Sequence, residues 1–413
     1  MTDAAATPSG AVTRASVVRV GTATAVSALC GYAVLYLAAR DLEPAGFSVF
    51  GVFWGAFGLA SGAAFGLLQE TTREVRSAEA GPGRSQPMLI AAGVGVAAAA
   101  LIAATSPLWS AQVFVADRAL SIALLSLGLA GFCVHTTLLG MLAGLDRWSG
   151  YGALMVTDAL ARVAVAAATF TLGWELGGYL WATVAGAAGW LLMLAFSPAT
   201  RAAARLRTPG DTATFLRGVG HSTAAAGASA VLVMGFPVLL KATSGDLGAT
   251  GGVVILAVTL TRAPLLVPLT AMQGNLIAHF VDQGAHRLRA LLAPSVLVAG
   301  LGAAGVVLAG LFGPWLLRTA FGPQYEADGA LLAWLTAAAV AIALLTLTGA
   351  ATVAAALHRA YAAGWLSATL ASALLLLLPL DLEVRTVVAL MCGPLLGIGV
   401  HLLALARLRP AAR

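Results

Sequence analysis

The chain has 413 residues, of which 60% are hydrophobic and only 10% are charged, and its formal net charge is +6. That charged fraction is about 40% of the fraction typical of a soluble domain. The apolar residues gather into runs of about twenty, the length that a helix needs to cross ~30 Å of hydrocarbon. The composition therefore excludes a soluble globular protein and predicts an all-α polytopic membrane protein.

Twelve transmembrane helices are predicted along the chain, separated by short polar breaks. Glycine and proline inside the runs are compatible with helices, because neighbouring helices can satisfy the freed backbone groups. The first run is long enough to span, and the residues before it lack the features of a cleaved signal peptide. In chain order the predicted spans are 17–39, 47–69, 88–108, 119–143, 150–172, 178–197, 216–240, 249–273, 290–312, 329–353, 360–380 and 386–406.

The distribution of arginine and lysine predicts the orientation of these spans. With the N-terminus inside, sixteen of the 23 basic residues fall on the cytoplasmic side, five fall outside and two lie within spans. Cytoplasmic loops of membrane proteins carry an excess of basic residues. The bias predicts an even number of spans with both termini in the cytoplasm.

The longest polar connection lies between spans six and seven and divides the chain in two. We predict an N-terminal six-helix half over residues 1–197, a cytoplasmic linker over 198–217 and a C-terminal six-helix half over 218–413. Two halves of like orientation imply a parallel repeat. A weak sequence match supports it, because "GLLQETTREV" at the end of span two aligns Gln69 with Gln273 in "TAMQGNLIAH" at the end of span eight.

Signatures of enzymes are sparse in this sequence. It has no H-E-x-x-H, no Walker A lysine and no G-x-S-x-G, and its six histidines show no metal-ligand spacing. The three cysteines fall within predicted spans, so a disulfide framework is not expected. We therefore predict a protein that is not an enzyme, with no cofactor, no metal and no nucleic-acid partner.

Asp158 and Arg162 are ionisable residues at membrane depth in span five. Such residues are expensive in lipid and usually face a bundle interior or a wet cavity. Four positions apart, they share one helix face. Two compatible interpretations stay open: a self-neutralising pair within the helix, or a pair that lines a central cavity and contacts substrate or a coupling ion.

Arg262 lies in the middle of span eight with no acidic residue within a helical turn. A guanidinium cannot shed its proton, so it needs a partner or a route to water. The partner could be Asp158 across the two halves, or an anionic ligand, since the planar fork suits phosphate oxygens. Pro264 and Pro268 follow, and they predict a bent or locally open helix.

Charged residues also end span two on the cytoplasmic side, where Arg73 follows Gln69 and Glu70. Most cytoplasmic helix ends carry solvated, locally paired charges of this kind. The alternative is a cytoplasmic gate at which Arg73 recruits a phosphate head group.

Three stretches of the sequence resemble a known family. They are "LAARDLEPAGFSVFGVFWGAFGLASGAAFGLLQETTREV" (37–75), "GLDRWSGYGALMVTDALAR" (144–162) and "TLTRAPLLVPLTAMQGNLIAHFV" (259–281). They are similar to the bacterial polysaccharide-biosynthesis membrane proteins, the lipid-linked oligosaccharide flippases of the multidrug/oligosaccharidyl-lipid/polysaccharide exporter superfamily. The likeness covers about a fifth of the chain, and the twelve-span plan covers all of it. The chain departs from the family at Ala278–His279, where members often have proline, and its spans hold fewer cationic residues.

The resemblance implies a MATE-like bundle of twelve helices in two halves around a central cavity, working by alternating access. The implied substrate is an undecaprenyl-pyrophosphate-linked glycan that moves from the inner to the outer leaflet of the bacterial plasma membrane. The implied partners are membrane lipids and the glycosyltransferases or polymerase of the same pathway. On this hypothesis Arg262 binds the diphosphate while Arg162 and Asp158 exchange partners, with Arg73, Gln69 and Gln273 as further candidates for substrate binding.

Other functions compete with this one. A multidrug or cation antiporter of the same superfamily would need unpaired carboxylates in its cavity, and the spans offer only Asp158, one turn from an arginine. A non-transporting scaffold of a glycan-synthesis assembly would need no solvent-accessible cavity at Arg262. A major-facilitator carrier is favoured least, because the loop "GMLAGLDRWSG" falls after span four rather than span two.

Overall fold

The computed structural model describes residues 14–76 and 84–407; both predicted cytoplasmic termini lie outside these residues. Within the described residues the chain forms seventeen α-helices. They are α1 Arg14–Asp41, α2 Pro44–Arg76, α3 Pro87–Val113, α4 Arg118–Gly144, α5 Trp148–Leu172, α6 Glu175–Ala185, α7 Gly189–Phe196, α8 Pro198–Ala204, α9 Thr212–Val233, α10 Phe236–Ser244, α11 Gly248–Ala271, α12 Gln273–Asp282, α13 Arg287–Ala290, α14 Leu292–Phe321, α15 Gly329–Ala354, α16 His358–Leu375 and α17 Leu382–Ala406.

Each of the twelve predicted spans coincides with one helix or with consecutive helices. In the described part of the chain ten helical segments are long and apolar enough to cross a membrane, and the bent pair α9–α10 makes eleven. Predicted span eleven falls on α16, which has 18 residues and begins with His358 and Arg359. These two polar residues lower its mean hydropathy, so α16 is not among the eleven. The all-α polytopic architecture is confirmed.

Two of the spans are broken near mid-depth. The short 3₁₀ turn Gly186–Ala188 separates α6 from α7, and a bend of 62° separates α9 from α10. The second break lies at Gly235 and Pro237, since proline has no N–H group to continue the hydrogen bonds of α9. At Pro264 and Pro268 the helix is not interrupted, because α11 continues through both prolines to Ala271, and the bent or locally open helix expected there stays a prediction.

We call the end of the bundle that carries the loops 145–147 and 355–357 the inner end, following the predicted orientation, and the opposite end the outer end. At the inner end the connection between spans six and seven is partly ordered against α2 and α3. Ser85 and Thr208 pair through their backbones and through their hydroxyl oxygens at 2.6 Å. Glu74 accepts a hydrogen bond from the backbone of Gly210 at 3.1 Å. The connection is therefore held on the N-terminal helices.

The start of α9 is set by an N-terminal cap. Asp211 precedes the helix, and its carboxylate accepts a hydrogen bond of 2.6 Å from the backbone N–H of Thr214. That hydrogen bond lowers the pKa of the Asp211 carboxyl. Because an aspartate at this position satisfies a free N–H group, the helix begins at Thr212, six residues before the predicted start of the C-terminal half at 218.

A row of glycines on α2, which we call the glycine ridge, joins the N-terminal helices to the C-terminal ones. A Cβ atom at Gly62 would lie 2.6 Å from Ala230 Cβ, and one at Gly66 would lie 2.3 Å from the Thr223 backbone nitrogen. Small residues at this spacing let membrane helices approach closely. The ridge contacts α9, α10 and α11 in turn, so α2 lies antiparallel to the bent pair. Its members are Gly51, Gly55, Gly58, Gly62 and Gly66.

Aromatic side chains close the outer end between the halves. The rings of Tyr36 on α1 and Phe321 on α14 are 5.8 Å apart, and those of Phe47 and Tyr325 are 6.0 Å apart. The Tyr325 hydroxyl donates to the Leu42 carbonyl at 3.1 Å. Burial raises the pKa of this phenol, so it stays a donor at neutral pH.

Candidate functional site

Asp158 and Arg162 form a bidentate ion pair within α5. Arg162 Nε lies 3.1 Å from Asp158 Oδ2, and Nη2 lies 3.0 Å from Oδ1. The Arg162 side chain is 14% exposed and the Asp158 side chain is 18% exposed. Their four-residue spacing places both on one helix face, as the sequence predicted, and the paired geometry offsets the cost of two charges in a low-dielectric interior.

The pair faces the break between α6 and α7. Arg162 Nη1 donates to the carbonyl of Thr183 near the end of α6, and the guanidinium carbon lies 5.3 Å from the centroid of the Phe57 ring on α2. A Cβ atom at Gly186 would lie 2.1 Å from Asp158 Oδ1. The glycine at the 3₁₀ turn therefore makes room for the carboxylate. His135 on α4 is buried nearby and interacts electrostatically with both charges.

Arg262 lies at the other broken span. Its Nη1 donates to the carbonyls of Leu232 at 3.4 Å and Val233 at 3.3 Å, the last residues of α9. Its guanidinium carbon lies 5.2 Å from the centroid of the Phe236 ring, at the first position of α10. The last carbonyls of a helix lack partners and carry partial negative charge. Arg262 therefore compensates for the break, and only 7% of it is exposed.

One nitrogen of Arg262 has no partner. Among the described residues no hydrogen-bond acceptor lies within reach of its Nη2 atom, and no carboxylate lies within ion-pair distance of the guanidinium. Asp158 is therefore not the partner of Arg262 in this conformation, since Asp158 binds Arg162 and Arg262 binds backbone carbonyls. The sequence predicts span seven as one unbroken helix, and an unbroken helix has no free carbonyls at mid-depth that could serve as partners of Arg262.

The remaining predicted residues lie at the inner end. Arg73 Nε lies 3.0 Å from Glu70 Oε2, and its Nη2 atom lies 3.4 Å from Glu74 Oε2. Arg73 is 58% exposed, whereas both carboxylates are buried. Gln69 is exposed on α2, and Gln273 is half-buried at the first position of α12. The structure therefore places these residues away from the two breaks at mid-depth, and their roles in binding stay predictions.

Lys241 is a buried cation that the sequence analysis did not single out. It lies on α10, is 5% exposed, and its ammonium donates to the Gly245 carbonyl. It is the only lysine in the chain. Its position, just beyond the end of predicted span seven, made it resemble an ordinary loop residue. Only the bend at Gly235 and the packing of α10 place it inside.

No protein-family model matches the chain. The chain is 70% identical over 403 residues to the uncharacterized protein Rv3630 of Mycobacterium tuberculosis (strain H37Rv), covering 96% of this chain and 94% of that protein. It is equally similar to the uncharacterized protein Mb3654 of Mycobacterium bovis. It is 66% identical over 413 residues to the uncharacterized protein Rv1510 of Mycobacterium tuberculosis, covering 98% and 96%.

Solved structures show the same fold at low sequence identity. An inward-facing multidrug resistance MATE family transporter of the MOP superfamily is 16% identical, with a TM-score of 0.68 over 92% of this chain and 94% of that one. The outward-facing form is 16% identical, with a TM-score of 0.65 over 96% of each chain. The predicted MATE-like architecture is confirmed, and the flippase subfamily stays a prediction. The chain belongs to the same family as these uncharacterized mycobacterial proteins, and it has the fold of the MATE transporters.

Proposed function

We propose that this protein is an alternating-access transporter that moves a polyprenyl-diphosphate-linked glycan from the inner to the outer leaflet of the bacterial plasma membrane, with both termini in the cytoplasm. The fold supports the first part, because the similar structures are MATE transporters in inward-facing and outward-facing forms. Glycosyltransferases or a polymerase of the same pathway would supply and consume the substrate.

The sign of the uncompensated charge at mid-depth supports an anionic substrate. Asp158 is neutralised by two hydrogen bonds from Arg162. Arg262 keeps a free N–H group and has no carboxylate partner among the described residues. A buried charge without a counter-ion is costly, and a diphosphate oxygen would supply that counter-ion in the bidentate geometry that arginine favours. This observation carries the proposal.

The position of Arg262 couples it to the contact between the halves. Phe236, whose ring lies under the guanidinium, is followed by Pro237, which contacts Gly55 of the glycine ridge. Separation of α2 from α10 would therefore uncover the break and the arginine. In this structure the outer end is closed by Tyr36, Phe321 and Tyr325, which is the arrangement expected before substrate release.

The cation antiporter is supported less well. Such a transporter needs a carboxylate that is free to bind a proton or a metal cation, and Asp158 is engaged by Arg162 on both oxygens. Glu70 and Glu74 lie at the inner end beside Arg73. In everted vesicles that contain this protein, we expect that a proton gradient will drive no uptake of a cationic dye.

The test of the proposal separates the charge of Arg262 from its hydrogen bonds to α9. Glutamine at position 262 can still donate to the carbonyls of Leu232 and Val233 but carries no charge, whereas lysine keeps the charge without the fork. We expect Arg262→Gln to slow flipping of a polyprenyl-diphosphate-linked glycan in proteoliposomes at least roughly tenfold, as loss of a charged hydrogen bond implies. Arg262→Lys should retain part of the activity.

The control is the folded state of each variant, followed by its thermal unfolding in detergent. Both variants should unfold within a few degrees of the wild-type protein. Wild-type flipping rates in Arg262→Gln would show that Arg262 serves only the helix break, and the proposed role of its charge would be wrong. The antiporter would replace the proposal if the wild-type protein moved no diphosphate-linked glycan but exported cationic dyes in exchange for protons.

A further inference from the structure

Lys241 is a buried ammonium that the proposed mechanism has not used. It is 5% exposed, and its one hydrogen bond among the described residues is to the Gly245 carbonyl four positions later. No carboxylate in the described part of the chain lies within ion-pair distance of it. An ammonium has three N–H donors, so the Gly245 carbonyl leaves two of them to other acceptors.

Helix C-capping explains part of this arrangement. A lysine near the C-terminus of a helix is stabilised by the last carbonyls, and α10 ends at Ser244. However, the Lys241 side chain is buried, and burial of a charge without a counter-ion is costly. The burial of Lys241 therefore points to an anion that binds and dissociates.

The location of Lys241 places it on the outward side of Arg262. Arg262 contacts the Phe236 ring at the start of α10, and Lys241 follows five residues later, ~8 Å along the axis of α10 at 1.5 Å per residue, nearer to the loop 245–247 at the outer end. Pro237 and Lys241 are four residues apart and so share one face of α10. Pro237 contacts Gly55, which places this face against the glycine ridge and between the halves.

We infer that Lys241 is a second anion-binding group, which takes the diphosphate from Arg262 and holds it before release at the outer end. The inference rests on the proposed function for the substrate, but the anion site itself does not require a glycan. The two side chains suit consecutive roles: the guanidinium grips two oxygens in a fixed plane, whereas the ammonium is a point charge on a flexible stem. Five residues of α10 advance only ~8 Å along the helix axis, so the diphosphate can pass from one cation to the other within a single stretch of α10.

The experiment measures anion binding to the purified full-length protein in nanodiscs. The probes are radiolabelled inorganic pyrophosphate and a short-chain polyprenyl diphosphate, at constant ionic strength. We expect Lys241→Met to weaken the binding of both probes roughly tenfold, the loss of about 1.4 kcal/mol, and Lys241→Arg to bind both within about threefold of the wild type, since it keeps the charge. Methionine keeps an unbranched stem one atom shorter than that of lysine but carries no charge, whereas arginine keeps the charge, so the comparison of the two variants reports mainly on charge.

The chain also offers a direct readout of occupancy, because Lys241 is its only lysine. Acetylation of Lys241 by an amine-reactive ester, followed by mass spectrometry of the peptide, should slow at least threefold when pyrophosphate is present. Equal pyrophosphate and polyprenyl-diphosphate affinities in Lys241→Met and wild type, or a loss for the inorganic anion alone, would overturn the inference. Glycan flipping is measured separately. If only the proposed substrate is wrong, the wild-type protein will move no glycan, while its pyrophosphate binding will still depend on Lys241.

Discussion

At the scale of single residues, both arginines at mid-depth are stabilised by the ends of broken helices. Arg162 donates to the Thr183 carbonyl near the end of α6, and Arg262 donates to Leu232 and Val233 at the end of α9. Each guanidinium also lies over a phenylalanine ring, a favourable contact for a desolvated cation. The difference is the carboxylate: Arg162 has Asp158, whereas Arg262 has a free N–H group.

Removing the carboxylate should expose the cost of the buried arginine. In Asp158→Asn we expect the free energy of unfolding to fall by roughly 3 kcal/mol, because breaking a buried pair leaves one charge uncompensated. The double variant Asp158→Asn/Arg162→Gln should recover most of that loss. Denaturation in mixed micelles measures both.

The comparison decides between the two interpretations of the pair. A double variant that regains both stability and glycan flipping would show a structural pair only. One that regains stability but not flipping would show that the charges act in transport. Wild-type stability in Asp158→Asn alone would contradict the expected cost.

At the scale of helices, the close approach of α2 to α9 is set by glycine. A Cβ atom at Gly66 would lie within 2.6 Å of three backbone atoms of Thr223 and Ser222, which cannot move without shifting α9. The same substitution elsewhere meets nothing: a Cβ atom at Gly93 on α3 would have no neighbour within 4 Å. The contrast offers a matched pair of variants.

We expect Gly66→Ala to destabilise the protein by roughly 1–3 kcal/mol, the usual cost of overpacking, and to slow glycan flipping. Gly93→Ala should be neutral or more stable by about 0.5–1 kcal/mol, because alanine is the better helix former. Thermal unfolding monitored by size-exclusion chromatography compares them. Equal unfolding temperatures for the two variants would contradict a tight glycine ridge.

At the scale of the whole molecule, the structure has a closed outer end. The hydrogen bond from Tyr325 to Leu42 joins a connection of the C-terminal helices to the loop between α1 and α2. Tyr325 is fully buried, and Phe47 beside it is 1% exposed. Opening of the outer end must break this contact.

Tyr325→Phe should therefore shift the population toward an open outer end. Loss of a hydrogen bond worth about 0.5–1.5 kcal/mol predicts a roughly 2- to 10-fold faster reaction of a cysteine at position 47 with an impermeant maleimide, in a background without the native cysteines. Because burial raises the pKa of Tyr325, the phenol donates up to and beyond its ordinary value of about 10. Maleimide reacts with the thiolate, so the labelling rate of any cysteine rises with pH; we therefore expect the ratio of the labelling rates of Tyr325→Phe and the parent protein to stay constant between pH 6 and 9.

The control is the parent protein with Phe47→Cys and Tyr325 intact. If Tyr325→Phe labels at the same rate as the parent, the hydrogen bond does not hold the outer end closed. A ratio of the two labelling rates that changes with pH below 9 would contradict a Tyr325 phenol that stays protonated over this range.

The sequence by itself determined the class of protein, the positions of the spans and the pairing of Asp158 with Arg162. Hydropathy and helical spacing are local properties, because the length of an apolar run and the four-residue repeat need no knowledge of neighbouring helices. The same local reasoning failed at span seven, where Gly235 and Pro237 break the helix.

Only the tertiary structure decided what each buried cation contacts. Arg262 finds backbone carbonyls rather than Asp158 because the α9–α10 break presents those carbonyls beside it. Lys241 becomes buried because α10 bends by 62° from α9 and packs on α2. A charge in a low-dielectric interior takes whichever acceptor lies within a few ångströms, and that distance is set by helices far apart in the sequence.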